Sequence, residues 1–176
     1  MNIAVYCSAK DKIAEDYKLL GDQLGAWIAR EGHTLIYGGA TGGLMTRVSN
    51  ATKMNGGKVI GVVPKRIIAA HRQADNCDEL YTVETMNDRK QQMRELADCF
   101  VCLPGSYGTL DEMMDVVASG TVGEHRKPLY VLNYQGFYNG RRLQTDHMRA
   151  LAFIPEQESY KPIYVDTLDQ LFTTLK

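Results

Sequence analysis

Short apolar runs alternate along the chain with longer amphipathic stretches. The runs are rich in Val, Ile and Tyr, which favour strands, and most are continuously apolar, as is typical of strands covered on both faces of a sheet. They predict strands near residues 2–7, 34–37, 58–63, 80–83, 99–103, 129–133 and 163–165.

The stretches between these runs have helical periodicity. Apolar residues recur at helical spacing from Ile13 to Ile28, and Gly32 supplies a stop signal. Strands that alternate with helices predict parallel β-α-β units with right-handed crossovers. The fold expected is therefore α/β: a doubly wound, Rossmann-like and mostly parallel sheet of about seven strands flanked by helices, in a single domain over residues 1–176. Further helices are predicted at 43–55, 86–97, 110–119, 137–151 and 167–175.

Composition and charge narrow the classes of partner. The 176 residues carry a formal net charge of −1 and no run of lysines and arginines, so we expect no nucleic-acid partner and no membrane partner. The N-terminus lacks the basic region of a signal peptide, and no apolar stretch approaches the roughly 20 residues that span a bilayer. Four cysteines without an export signal predict reduced thiols and a cytoplasmic location.

The cysteines and histidines do not predict a metal or redox site. Cys99 and Cys102 have CxxC spacing, but they fall in an apolar strand, where an odd offset places them on opposite faces. We expect all four cysteines to pack as small hydrophobes. The four histidines lack metal-ligand spacing, so the sequence predicts neither a metal nor a cofactor.

Three loops fall just after predicted strands, where doubly wound sheets bind ligands. The first, 37-YGGATGGLM-45, has four glycines ahead of a helix. Its helix N-terminus suits a phosphate or carboxylate, although the glycines do not match GxGxxG. The alternative is close packing of helix against strand, for which glycine is also favoured.

The second loop, 104-PGSYGTLDE-112, also leads into a helix. Its backbone amides and the Thr109 hydroxyl can surround phosphate oxygens, with Glu112 as a functional carboxylate beside them. The alternative is a capping box, in which Glu112 folds back onto the Thr109 backbone. The local pattern leaves both interpretations open.

The third segment, 86-MNDRKQQM-93, places Arg89 and Lys90 in the first turn of a helix, against the helix dipole. Cations in that position suggest an external anion that compensates them. The alternative is a solvated pair, partly neutralised by Asp88 and Glu84.

Taken together, the three segments resemble the LOG family. Its patterns YGGGxxGLMG, MHERKxxM and PGGxGTxxE are similar to 37-YGGATGGLMT-46, 86-MNDRKQQM-93 and 104-PGSYGTLDE-112, in the same order and at the expected strand ends. Members are phosphoribohydrolases that cut nucleoside 5′-monophosphates, including cytokinin precursors, into free base and ribose 5-phosphate. They are often labelled lysine decarboxylase-like, but that reaction needs a pyridoxal phosphate lysine, for which this sequence has no motif.

The resemblance implies a hydrolase acting on AMP or N6-modified AMP, without a cofactor, and a homodimer with active sites near the interface. It implies that Arg89 and Glu112 are the catalytic pair. A carboxylate stabilises the positive charge that builds on the ribose, and it can orient the attacking water. The substrate-binding residues implied, or neighbouring these motifs, are Ser8, Gly38, Gly39, Met86, Lys90, Gly105, Ser106, Tyr107, Gly108 and Thr109.

The chain also departs from the family patterns. Ala40 and Ser106 replace glycines, Asn87-Asp88 replaces His-Glu, and Ala9 and Lys10 differ from the small family loop after the first strand. If Ser106 requires a positive φ, it costs about 1 kcal/mol. These departures favour an alternative from another class, a non-hydrolytic nucleotide- or molybdenum-cofactor-binding protein; the retention of Arg89 and Glu112 counts against it.

Overall fold

The computed structural model describes residues 1–175 and contains one seven-stranded sheet. Its strands are β1 (Asn2–Tyr6), β2 (Thr34–Tyr37), β3 (Lys58–Pro64), β4 (Glu79–Val83), β5 (Cys99–Cys102), β6 (Leu129–Leu132) and β7 (Ile163–Val165). Each strand lies within one residue of its predicted bounds, because the apolar runs that cross the core are short and sharply ended.

Seven helices surround the sheet. They are α1 (Glu15–Arg30), α2 (Gly43–Met54), α3 (Lys65–Ala69), α4 (Met86–Leu96), α5 (Tyr107–Thr121), α6 (Asn139–Ala150) and α7 (Leu168–Thr174), with a 3-10 turn at Tyr134–Gly136. The sequence did not predict α3, since this short helix buries none of its residues and has no apolar periodicity. Helix α5 begins three residues before its predicted start at 110, a difference that matters for the site.

The strand order is β4-β3-β2-β1-β5-β6-β7, and all neighbouring strands pair in parallel. The predicted doubly wound α/β fold is therefore confirmed. The chain adds strands outward from β1 to β4 and then returns to place β5 on the other side of β1. The order reverses between β1 and β5, which is where such sheets leave a crevice for ligands.

Two apolar cores cover the faces of the sheet. Helices α1, α2 and α7 supply one core, and α4 and α5 supply the other. Cys99 and Cys102 belong to different cores, as their odd spacing predicted, and the four cysteines are free thiols. Edge strand β4 differs from the inner strands, because none of its residues is buried.

Helices α1 and α2 approach each other closely through glycine. A Cβ on Gly25 would lie 2.3 Å from the carbonyl oxygen of Val48 on α2. This contact fixes α2, and with it the loop that precedes it, against the first helix of the fold. None of the helices within residues 1–175 is long and apolar enough to cross a membrane.

Candidate functional site

A buried ion pair lies at the carboxyl end of the sheet. The Arg89 Nη1 of α4 lies 2.8 Å from the Glu112 Oε1 of α5, and only 7% and 3% of the two side chains are exposed. Arg89 Nε also donates a hydrogen bond of 3.2 Å to the carbonyl oxygen of Val62 in β3. The two residues implied as a catalytic pair are therefore in direct contact, and the backbone of a third element holds the arginine.

Gly38 makes room for this arginine at the end of β2. A Cβ at Gly38 would lie 1.9 Å from Arg89 Nη2 and 2.9 Å from Cζ. The backbone at Gly38 does not have a positive φ, so the reason for glycine is space and not conformation. The first glycine loop and the third segment, which are far apart in sequence, therefore form one feature.

Glu112 does not form the capping box that its sequence pattern allowed. Because α5 begins at Tyr107, Thr109 is already its third residue, and Glu112 lies nearly two turns into the helix. The capping box of this region is on α4 instead, where Thr85 and Asp88 bond each other's backbone amides. The Glu112 side chain is thus free to face Arg89.

Burial changes the protonation of this carboxyl group. Desolvation raises the pKa of Glu112 above the ordinary value of 4.5, and the Arg89 guanidinium opposes that rise. Cys7 is buried too, which raises the pKa of its thiol, and the Glu112 charge raises that pKa further. The Arg89 charge lowers the pKa of Cys7, so both charges of the pair act on a thiol that directly follows β1, where the strand order reverses.

The N-terminus of α5 presents uncapped backbone amides next to the pair. Within residues 1–175, the N–H groups of Tyr107, Gly108 and Thr109 have no hydrogen-bond acceptor, and Ser106 makes no side-chain cap. A helix N-terminus with free amides and its positive dipole end suits a phosphate. Gly105 allows the loop to turn closely over Thr109, since a Cβ at Gly105 would lie 2.1 Å from Thr109 Oγ1.

Ser106 carries no backbone strain in place of the family glycine. Its φ is −100°, in the extended region that any residue adopts, so the possible cost of a positive φ does not arise. Tyr107 is 89% exposed and covers neither the loop nor the ion pair.

The N-terminus of α2, after the first glycine loop, is closed by protein atoms. Gly43 N donates to the Asp11 carboxylate at 2.8 Å, Gly42 N donates to Thr46 Oγ1 at 2.7 Å, and Met45 N donates to the Ser8 carbonyl at 3.3 Å. Gly42 and Gly43 have positive φ and let the loop after β1 approach. The close-packing alternative therefore describes these two glycines. The sequence did not predict that Asp11 would occupy this helix N-terminus.

For Gly39 and Met86, two of the predicted substrate-binding residues, the structure shows backbone conformation, packing and burial. Gly39 has a φ of 59°, and a Cβ there would lie 2.3 Å from Val63 of β3. Met86 is half-buried at the first position of α4.

Lys90, the residue after Arg89, forms ion pairs of its own with carboxylates of α5. Lys90 Nζ lies 3.0 Å from Asp111 and 3.8 Å from Asp115, both on α5. Glu84 pairs with Lys65 rather than with Arg89 or Lys90. The cations at the start of α4 are therefore compensated by carboxylates of α5, and an external anion is not needed to explain them. The alternative of a solvated pair is wrong for Arg89, whose side chain is buried.

Comparison with known proteins places these features in a family. A family model described as "Possible lysine decarboxylase" matches residues 45–175. The cytokinin riboside 5′-monophosphate phosphoribohydrolase of Mycobacterium marinum is 38% identical over 167 residues, which are 95% of this chain and 89% of that protein. The cytokinin riboside 5′-monophosphate phosphoribohydrolase LOG of Oryza sativa subsp. japonica is 38% identical over 174 residues, which are 99% of this chain and 72% of that protein.

The chain belongs to the LOG family. Solved structures add that the LOG fold is shared more widely. The molybdenum cofactor binding protein of Rippkaea orientalis aligns with a TM-score of 0.72 at 19% identity and covers 99% of this chain and 97% of its own. The Moco carrier protein of Chlamydomonas aligns with a TM-score of 0.70 at 19% identity, over 99% and 94% of the two chains. At this identity the likeness concerns the fold alone.

The described part of this LOG-family chain contains no group of three or more His, Cys, Asp or Glu side chains that could hold a metal ion.

Gly38→Ala tests whether glycine is present for the arginine. The added methyl group meets Arg89, so we expect Gly38→Ala to lower the free energy of unfolding by about 1–3 kcal/mol, the usual cost of overpacking. In an Arg89→Ala background the three atoms nearest to that methyl group are gone, and most of the cost should disappear. Urea unfolding of the four proteins gives this double-mutant cycle.

Gly140→Ala is the matched control, because a Cβ there meets no atom within 4 Å. It should be neutral or stabilise the protein by up to about 1 kcal/mol, as expected for alanine in a helix. An equal cost of Gly38→Ala in both backgrounds would contradict the role given to Gly38.

Proposed function

We propose that this protein is a nucleoside 5′-monophosphate phosphoribohydrolase that cleaves the N-glycosidic bond of AMP or N6-modified AMP. The products are free base and ribose 5-phosphate. The observation that carries this proposal is a buried carboxylate, Glu112, which Arg89 holds in place. It lies less than two helical turns from the uncapped N-terminus of α5. The names of the relatives, which are phosphoribohydrolases, support the same chemistry.

The 5′-phosphate binds at the N-terminus of α5 in this proposal. The free amides of Tyr107, Gly108 and Thr109 donate to its oxygens, and the buried Thr109 hydroxyl adds a further donor. The α2 N-terminus cannot compete for the phosphate, because Asp11 already occupies it. Binding at one end of the substrate thus fixes where the ribose lies.

Glu112 stabilises the reacting carbon. The bond between C1′ and the base nitrogen breaks with both electrons leaving on the base, and positive charge develops on the ribose. A water oxygen then bonds to C1′, and the proton it loses ends on the departing base. An ionised carboxylate held in a fixed position favours that charge electrostatically and can orient the water.

Arg89 acts through Glu112 rather than as an acid or base. Its guanidinium remains charged, and its bonds to Glu112 and to the Val62 carbonyl hold the carboxylate in one orientation. The positive charge of the arginine also favours the ionised carboxylate, and so it opposes the effect of desolvation on the pKa of Glu112.

A panel of nucleoside 5′-monophosphates tests the activity. We expect the purified protein to release free base and ribose 5-phosphate from at least one purine monophosphate, read by chromatography. Glu112→Gln should lower kcat by about 10²–10³-fold, the size expected when one preorganised electrostatic group is lost. Circular dichroism checks that the variant is folded.

Asp111→Asn is the control for this experiment. Asp111 is the adjacent residue, is largely exposed and bonds Lys90, so its loss should change kcat by no more than a few-fold. If no monophosphate releases base while calorimetry recovers an intact bound nucleotide, the protein is instead a non-hydrolytic nucleotide- or cofactor-binding protein.

The pH dependence of kcat tests the state of Glu112. Because burial raises the pKa of Glu112 above 4.5, activity should fall as the pH drops through that higher value and the carboxylate becomes protonated. The acidic limb should therefore have its midpoint above pH 4.5. The residual activity of Glu112→Gln should lack this limb, and a limb that persists unchanged in Glu112→Gln would assign it to another group.

A homodimer is the second part of the proposal, and α6 supplies the surface. None of the residues of α6 (Asn139–Ala150) is buried, and Leu143 on it is 69% exposed. A cavity of about 630 Å³ lies between α5 and α6, with Met114 and the 79% exposed Phe153 on its border. Exposed apolar side chains with both arginines and carboxylates around them are suited to a two-fold contact, in which the same surface faces itself.

Light scattering after size exclusion tests the dimer. The wild-type mass should be twice that of the 19.7 kDa chain, and Leu143→Glu should give the monomer, because it places a charge in the apolar contact. Met54→Glu is the control, since Met54 is an even more exposed apolar residue, at the end of α2. A monomeric wild type, or the same dissociation by both variants, would contradict this interface.

A further inference from the structure

An apolar crevice adjoins the proposed phosphate site on the α1 side of the sheet. It has a volume of about 340 Å³ and shares Gly105 and Ser106 with the loop before α5. Its walls are apolar and come from Ile13, Tyr17, Leu44, Pro104 and Phe137. Arg89 and Glu112 do not line it, so a ligand in the crevice would lie beside the ion pair and not on it.

The walls of the crevice are held in place by packing between side chains of the protein itself. The Tyr17 ring packs edge-on against Phe137 with centroids 5.9 Å apart, and against Tyr134 at 5.6 Å. Ser8 on the opposite side is buried, and its carbonyl oxygen accepts the amide of Met45. A preformed apolar space with a few polar groups is typical of a small-molecule site.

The polar groups around this crevice can all donate hydrogen bonds. Ser8 Oγ already accepts the Lys10 amide at 3.1 Å, which leaves its hydroxyl hydrogen available to a ligand. Lys10 is exposed, and in the chain from 1 to 175 its ammonium group makes no ion pair or hydrogen bond. Among the described residues no carboxylate lines the crevice, because Asp11 faces the Gly43 amide.

From this arrangement we infer that Lys10 is a specificity-determining residue that favours substrates whose base carries an oxygen acceptor or a negative charge toward the crevice. The inference rests on the proposed function, since it concerns the base of that substrate. An ammonium group has three donors and no acceptor, so it rewards a carboxylate or carbonyl at the end of an N6 substituent and gives nothing to a hydrocarbon end. The apolar walls accept the carbon chain of either substituent.

Two N6-substituted AMP derivatives of nearly equal shape test this inference. N6-(2-carboxyethyl)-AMP and N6-(3-methylbutyl)-AMP differ in ending with a carboxylate or with two methyl groups. For the wild-type protein both should be substrates. Lys10→Ala should lower kcat/KM for the carboxyethyl compound by about three- to tenfold, the range between an exposed ion pair and a charged hydrogen bond. It should leave kcat/KM for the methylbutyl compound within twofold.

Two further variants sharpen the result. Lys10→Glu should lower kcat/KM for the carboxyethyl compound more than Lys10→Ala does, and raised salt should shrink the difference between wild type and Lys10→Ala. Lys12→Ala is the matched control, because Lys12 is an exposed lysine of the same loop that does not line the crevice. It should change neither compound's kcat/KM by more than twofold.

The outcomes separate this inference from the proposed function. Equal effects of Lys10→Ala on both compounds, an effect below twofold on the carboxyethyl compound, or the same selectivity change in Lys12→Ala would overturn the role of Lys10 while turnover stands. If the wild type hydrolyses neither compound nor any other monophosphate, the proposed function fails. The dissociation constants of the two compounds, measured by calorimetry on wild type and Lys10→Ala, then decide the role of Lys10 by the same ratio.

Discussion

The buried contact between Arg89 and Glu112 is the constraint on which the rest of the site depends. Removing one partner of a buried ion pair costs about 3–5 kcal/mol, since the other charge is left without compensation. The fold retains both charges and arranges three elements around them: α4, α5 and the end of β3, whose Val62 carbonyl bonds the guanidinium. The space for the arginine comes from Gly38, in the loop that follows β2. So many supports around one charged contact are typical of a site in which orientation matters.

Two helix N-termini reach the same edge of the sheet and differ in what occupies them. Both follow a glycine-containing loop, and either could accept an anion. The start of α2 is filled by the Asp11 carboxylate and the Ser8 carbonyl, whereas the start of α5 keeps its amides free. The protein thus satisfies one terminus with its own acceptors and leaves the other to a ligand. The loop after β1 takes part in both features: Asp11 and Ser8 accept amides at the start of α2, and Ser8 and Lys10 line the crevice.

The departures from the family patterns have unequal consequences. Ser106 has an extended backbone, so it adds a hydroxyl group to the loop before α5 without strain. Ala40 forms an isolated antiparallel bridge with Gln73, so the loop after β2 pairs with the segment that follows α3. Lys10 instead adds a charge at the rim of an apolar space. Ser106 also lines this space, but of the three departures only Lys10 brings a charge to it.

The sequence by itself determined the fold and the order of the strands, and it predicted the residues of the candidate site. Apolar runs specify strands because burial on both faces excludes polar residues, and the ends of parallel strands gather distant loops at one edge. Local pattern could not decide whether Glu112 caps its helix, because that depends on where α5 begins, and it could not reveal that Asp11 fills the start of α2. Both questions concern contacts between segments far apart in the chain. Only the tertiary packing of α4, α5 and the loop after β1 decided them.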